Sequence, residues 1–437
     1  MDGEQLRVSL LAELQIPMNQ LHEFDAAAGN PEPGIGAWAS VEGGKAPVKA
    51  WHARIRALEK EIFARNNHGW RRIVLNFTPS WFSVTMGTGI VSILLHNMPY
   101  NAHWLYWLSV AVFCLNILLF ALFFFVSILR YTMFKGLFMF MIRHPVQSLF
   151  TGTFPMGLAT IVNMTVFVCV PAWGQWATTL AWTLWWIDAA ISIATCLYLP
   201  FVIIYVHESD LTKMTATWLL PIVSTIVAAA SGGIVAEVLP NPQHALWTVI
   251  VSYILWGTGF PLAMLVLVMY FHRLTMHHLP PREVIVSVFL PMGPIGQGSF
   301  ALMQLGKVAK KVLPLTNAVD GAITGEVFYS IGIYTALIIW GYGLIWLFFA
   351  VASISRSKFP FNMGWWGFTF PLGVYTVATT TLAKDIPSLF FKILGTIFSV
   401  VKTIQSITRG KLFLAPCVET YQRDMARKAT VKKDTEN

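Results

Sequence analysis

Apolar residues run in ten long blocks between about residues 78 and 407, separated by short polar connections. The blocks cover roughly 78–97, 103–130, 147–171, 179–206, 215–237, 245–271, 284–306, 327–353, 364–383 and 386–407. Each is close to the ~20 residues that an α-helix needs to cross the hydrocarbon core of a bilayer. None shows the alternation of a barrel strand. Backbone in lipid must satisfy its own hydrogen bonds, so helices are the spanning element. The pattern predicts an all-α polytopic membrane protein with ten transmembrane helices over 78–407. It is flanked by an N-terminal tail over 1–77 and a C-terminal tail over 408–437. Within the first tail, residues 51–66 set Trp51, Ile55, Leu58, Ile62 and Phe63 among Arg54, Arg56, Lys60 and Arg65, an amphipathic helix suited to a membrane surface or to another subunit.

A repeat underlies the blocks. Residues 153–157 read Thr-Phe-Pro-Met-Gly, 369–373 read Thr-Phe-Pro-Leu-Gly and 290–293 read Leu-Pro-Met-Gly. Pro79, Pro155, Pro221, Pro291 and Pro371 each fall in an odd-numbered block. The simplest expectation is five two-helix hairpins, with the odd helices kinked by proline around a common axis and the even helices outside. Prolines are also common in membrane helices generally. The odd blocks are rich in small and hydroxyl residues, including Thr85, Thr88, Thr160, Ser224, Gln297, Ser299, Thr369 and Thr376, and the even blocks are richer in Leu, Phe and Trp. Small residues allow close helix packing. As a set, with Phe154, they also suit a polar, uncharged passage.

Composition agrees: 56% of the 437 residues are apolar, only 12% are charged, and mean hydropathy is +0.60. These values exclude a disordered chain, a disulfide-built secreted module and an ordinary soluble enzyme. The formal charge of +9 does not indicate nucleic-acid binding, because the basic residues flank apolar blocks. The tails and the loops after even blocks carry 25 Lys/Arg, whereas the opposite loops hold only Lys307, Lys310, Lys311 and Lys384. The positive-inside rule then places both termini in the cytosol, as an even number of spans requires. Cys114, Cys169, Cys196 and Cys417 form no motif, and no signal peptide is expected. No cofactor motif is present. His272, His277 and His278 share a loop without a completing Cys or carboxylate pattern, so no metal is expected.

A passage without fixed charge can hold an ion by hydroxyls, freed backbone N–H groups and helix-end partial charges, which favours anions and fast release. Phe370, just before Pro371, could plug such a path or simply pack between helices. Asp188 is the one acid deep in an apolar block. It could relay a proton or make a structural hydrogen bond. A membrane-embedded enzyme would need further His, Asp or Glu beside it. A carrier of malate-type dicarboxylates would want a fixed Lys or Arg, and the odd blocks hold none within these limits. A receptor-like sensor would bind ligand without flux.

Residues 77–89 (FTPSWFSVTMGTG), 153–162 (TFPMGLATIV), 291–301 (PMGPIGQGSFA) and 365–373 (WWGFTFPLG) resemble the tellurite-resistance/dicarboxylate transporter family. That family includes plant slow-type anion channels, a yeast malate permease and fungal sulfite efflux pumps. The stretch 293–300 and Trp185-Trp186-x-Asp188 look most like the sulfite pumps. The resemblance implies ten helices in five hairpins around a pore, assembly as a homotrimer, and a phenylalanine gate that maps onto Phe370. It implies a lipid-embedded protein that exports a small inorganic anion, sulfite or bisulfite, across the plasma membrane for detoxification. A malate-type carrier or a general anion channel is the alternative within the family.

Overall fold

The computed structural model describes residues 69–100, 102–134, 136–205, 211–281, 284–316, 318, 321–356, 369–401 and 403. The amphipathic stretch 51–66, Trp365 and Trp366, and the C-terminal tail lie outside the described residues. All regular structure among the described residues is helical. The chain divides into two compact units, Met1–Thr78 with Phe125–Arg143, and Pro79–Phe124 with His144–Asn437.

The first unit contains α1 (Gly69–Leu75), the end of α3 (His103–Met133) and α4 (Leu137–Arg143). Val74, Leu75, Phe134 and Leu137 form its apolar cluster. Arg130 is buried beside Tyr131, whose hydroxyl accepts from Nη1 at 3.4 Å and whose ring lies 5.4 Å from the guanidinium carbon.

The second unit contains α2 (Phe82–His96), the first part of α3, and α5 (Thr153–Met164), which continues as a π-helical stretch Thr165–Cys169 and a last turn Val170–Trp173. Then follow α6 (Gln175–Tyr205), α7 (Leu220–Val238), α8 (Pro242–His277), α9 (Met292–Thr316), α10 (Gly321–Ser355), α11 (Thr369–Asp385) and α12 (Leu389–Val401). Burial separates these helices into two classes. In the most apolar 18-residue window, 78%, 100% and 94% of residues are buried for the segments containing α5, α7 and α9. The corresponding shares are 17%, 39%, 39% and 28% for α3, α6, α8 and α10. In α2, every residue except Thr88 and His96 is buried. Sequence blocks of similar hydropathy therefore play different parts. The small, hydroxyl-rich ones go inside, and the Leu/Phe-rich ones present side chains such as Leu265, Ile338 and Phe348 outward, as lipid contact requires.

The five inner helices close on themselves. α2 packs on α5, α5 on α7, α7 on α9, α9 on α11, and α11 on α2. Glycine sets the closest approach: a Cβ on Gly296 of α9 would lie 2.6 Å from the backbone N and Cα of Tyr375 in α11. Outer helices are tied on by indole N–H donors, which a dry interior requires to be paired. Trp185 in α6 donates to the Ala228 carbonyl of α7 at 2.8 Å, and Trp256 in α8 to the Gly298 carbonyl of α9 at 3.1 Å. Trp340 in α10 donates to the Thr379 hydroxyl of α11 at 2.9 Å. Ser92 of α2 and Ser109 of α3 exchange hydroxyl bonds to each other's carbonyl.

The repeated prolines all lie in the interior, at the starts of helices. Pro79 opens a 3-10 turn before α2, and Pro291 immediately precedes α9. Pro155, Pro221 and Pro371 lie in the first turns of α5, α7 and α11. Further 3-10 turns, Ser148–Gly152, Ala216–Leu219 and Ile285–Phe289, lead into α5, α7 and α9. A first-turn proline loses no intrahelical bond, because its N–H would be unpaired there anyway, so these prolines open the inner helices and do not kink them as the sequence suggests.

By length and apolarity, seven helices among the described residues can cross a membrane, or eight if Gly69–Leu75 and Pro79–His96 count as one span. α11 and α12 are too short for that test. The expected absence of charge also needs correction. The inner helices do carry fixed charge, because α9 runs to Thr316 and α11 to Asp385, and so include Lys307, Lys310, Lys311, Lys384 and Asp385.

Candidate functional site

The five inner helices converge on one cavity of about 180 Å³ within the second unit. Each contributes a stripe at helical spacing. α2 gives Ile90 and Ile93, with Asn97 just beyond its end, and α5 gives Thr160 and Asn163, followed by Phe167 in its π-helical continuation. α7 supplies Val227, Ile234 and Glu237. α9 supplies Gln297, Phe300, Gln304 and Lys307, and α11 supplies Phe370, Val374, Val377, Thr381 and Lys384, with Thr380 and Asp385 beside them. Steps of three, four and seven residues keep each set on one helix face.

Polarity is graded along these stripes. The part away from the charges is apolar, with Phe370 3% exposed and Ile90, Val227 and Phe300 also in the lining. Uncharged groups punctuate it: Asn116 Nδ2 donates to Thr160 Oγ1 at 3.3 Å, and Thr160 donates to the Gly157 carbonyl. Charges gather at the other end. Lys307 and Lys311 both lie 3.0 Å from Glu237 Oε1, and Gln304 Nε2 donates to Glu237 Oε2 at 2.8 Å. The lysine side chains are 43% and 57% exposed, which identifies this as an open end. Lys384 reaches Asn97 Oδ1 at 3.4 Å and also lines a second hollow of about 330 Å³ with His96 and Lys392.

Of the residues expected from sequence, Thr160, Gln297 and Phe370 line the cavity. The others lie outside the lining, all buried except the half-buried Thr88 and Phe154. Thr85, Thr88 and Thr376 donate to carbonyls of their own helices. Ser224 donates to the Pro221 carbonyl and Ser299 to the Ala336 carbonyl of α10. Phe154 packs with Phe82, Phe120 and Phe124 at centroid distances of 5.0–5.8 Å. Thr369 is buried. Asp188 is fully buried in α6 and outside the cavity lining, and neither carboxylate oxygen has a hydrogen-bond partner among the described residues. No group of three potential metal ligands stands together among the described residues.

The charged end was missed in the sequence because the apolar block stops at 306. A signal was available: Gln304, Lys307 and Lys311 are spaced to share one helix face.

Comparison with known proteins places these features in context. The family model described as voltage-dependent anion channel, SLAC1, matches residues 76–408. A protein named sulfite efflux pump SSU1 from Arthroderma benhamiae is 55% identical over 340 residues, covering 78% of this chain and 90% of that protein. The protein of the same name from Candida albicans is 30% identical over 355 residues, covering 75% and 71%. A malic acid transport protein from Schizosaccharomyces pombe is 26% identical over 338 residues, covering 76% of each. These relatives are transport proteins rather than enzymes. With the family model matching its helical region almost from end to end, the chain belongs to the voltage-dependent anion channel family.

Proposed function

We infer that this chain exports sulfite or bisulfite across the plasma membrane, through a path walled by α2, α5, α7, α9 and α11. The carrying observation is the convergence of those five helices, one face each, on a single cavity. The 55% identity to a sulfite efflux pump supports the substrate. The full arrangement is ten spanning helices, α2, α3 and α5–α12, taken as five hairpins over 78–407. Pro79, Pro155, Pro221, Pro291 and Pro371 mark the starts of the inner layer. Both tails, 1–77 and 408–437, face the cytosol, and the lysine-lined end of the cavity faces outward. Phe370 is the gate. Its ring lies in the apolar part of the path, where a rotamer change opens a route past Thr160 and Gln297. The working form is a homotrimer, with one path in each subunit.

Flux in proteoliposomes tests this reading. Sulfite should move faster than nitrate, chloride or malate. Malate moving fastest would replace the substrate, and no flux of any anion would end the transport reading. A malate-type carrier is the second reading, and one observation favours it: Lys307 and Lys384 supply the fixed cations that a dicarboxylate needs.

A further inference from the structure

The cluster at the open end is built so that one lysine can change partners. Glu237 Oε1 is shared by two ammonium groups, each at 3.0 Å, while Oε2 accepts from Gln304. Lys307 lines the cavity and Lys311 does not. Loss of the Lys307 contact therefore still leaves the carboxylate a cation and an amide donor. Lys307, by contrast, can swing its ammonium from Glu237 to any anion that arrives along the stripe Gln297–Phe300–Gln304. Lys384, the next cation, lines both this cavity and the second hollow, and Asp385 beside it also lines this cavity. No carboxylate lines that second hollow among the described residues.

We propose that Lys307 is an anion-binding station at the outer end of the path, and that Glu237 is its resident counter-charge. A small oxyanion displaces Glu237 from Lys307 while Lys311 and Gln304 retain the carboxylate. Glu237 then reclaims Lys307 and expels the anion toward Lys384. A bare lysine in this position would hold a divalent oxyanion tightly and slow its release. A carboxylate that competes for the same ammonium keeps the site shallow, as fast passage demands. This station rests on the transport reading above and adds the residues that bind and release.

The test combines flux with binding. In proteoliposomes, Lys307→Gln should raise the KM for sulfite about tenfold, the scale of one lost charge-assisted contact, and Lys307→Arg should restore it. Glu237→Gln should lower both KM and kcat, because the anion then loses the carboxylate that shares Lys307. Lys310→Gln, which removes an exposed pair with Glu326 outside the station, should leave the sulfite KM within about twofold. Binding is read separately from the shift in melting temperature of the purified protein on adding sulfite or chloride at equal ionic strength. Lys307→Gln should lose the sulfite shift. A wild-type protein that transports sulfite while Lys307→Gln keeps its KM overturns the station and leaves the transport reading intact. A Lys307→Gln protein that keeps the full sulfite shift, or a wild type that shows none, overturns it whatever the flux result. If Lys307→Gln does not fold, the Glu237→Gln split decides: unchanged KM and kcat overturn the proposal.

Discussion

At the scale of single residues, two side chains carry opposite expectations. Phe370 lies in the cavity among apolar neighbours, held by packing alone. Phe370→Ala should raise passive anion conductance in liposomes or oocytes by about tenfold, the effect of lowering a barrier by ~1.4 kcal/mol. Unchanged conductance in a well-expressed variant would remove the gate. Asp188 is buried in an outer helix, away from the cavity, with no hydrogen-bonded chain linking it there among the described residues. Asp188→Asn keeps the shape and removes the ionisable proton. Sulfite flux with and without a pH gradient should stay within about twofold of wild type. Selective loss of the pH-driven component would instead make Asp188 a relay. Hydroxyl residues show why residue roles were only partly legible in sequence. Thr85, Thr88, Thr160 and Thr376 look alike in composition, and all four bond back to a carbonyl of their own helix. Only helix rotation separates Thr160, which lines the cavity, from the rest, and rotation is fixed by neighbours distant in the chain.

At the scale of helices, the inner layer depends on glycine contacts that leave no room for a methyl group. Gly296→Ala would place a Cβ against the backbone of α11, where no side chain can yield. Overpacking of this kind costs about 1–3 kcal/mol. The variant should show a lower melting temperature and lower yield of folded protein, while Gly257→Ala, with open space at its Cβ, should match wild type. The division into inner and outer helices was legible because it rests on composition: Thr-Phe-Pro-x-Gly starts two inner helices, and Leu/Phe/Trp-rich blocks became outer ones. Helix ends were not. α9 continues ten residues past its apolar block because Lys307 and Lys311 pair with Glu237, and Lys310 pairs with Glu326 at 3.0 Å. A hydropathy boundary sees charges only as an end to lipid exposure, whereas ion pairs let a helix carry them further.

At the scale of the whole molecule, charge sets orientation. With 25 Lys/Arg assigned to one side and four to the other, single cysteines placed near either terminus should be labelled by a membrane-impermeant maleimide only after the cells are permeabilised. A cysteine replacing Lys311 should be labelled in intact cells, in a background lacking the exposed Cys114. The reverse pattern would invert the protein and make the lysine-lined end an intake. The closed ring of inner helices also bears on how the path is made. Its last seam joins α11 to α2, where Lys384 meets Asn97 across 287 positions of chain. A ribosome therefore delivers α2 long before the α11 that covers it, and until α11 arrives the faces of α2 and α9 that it packs against stay without their final partner.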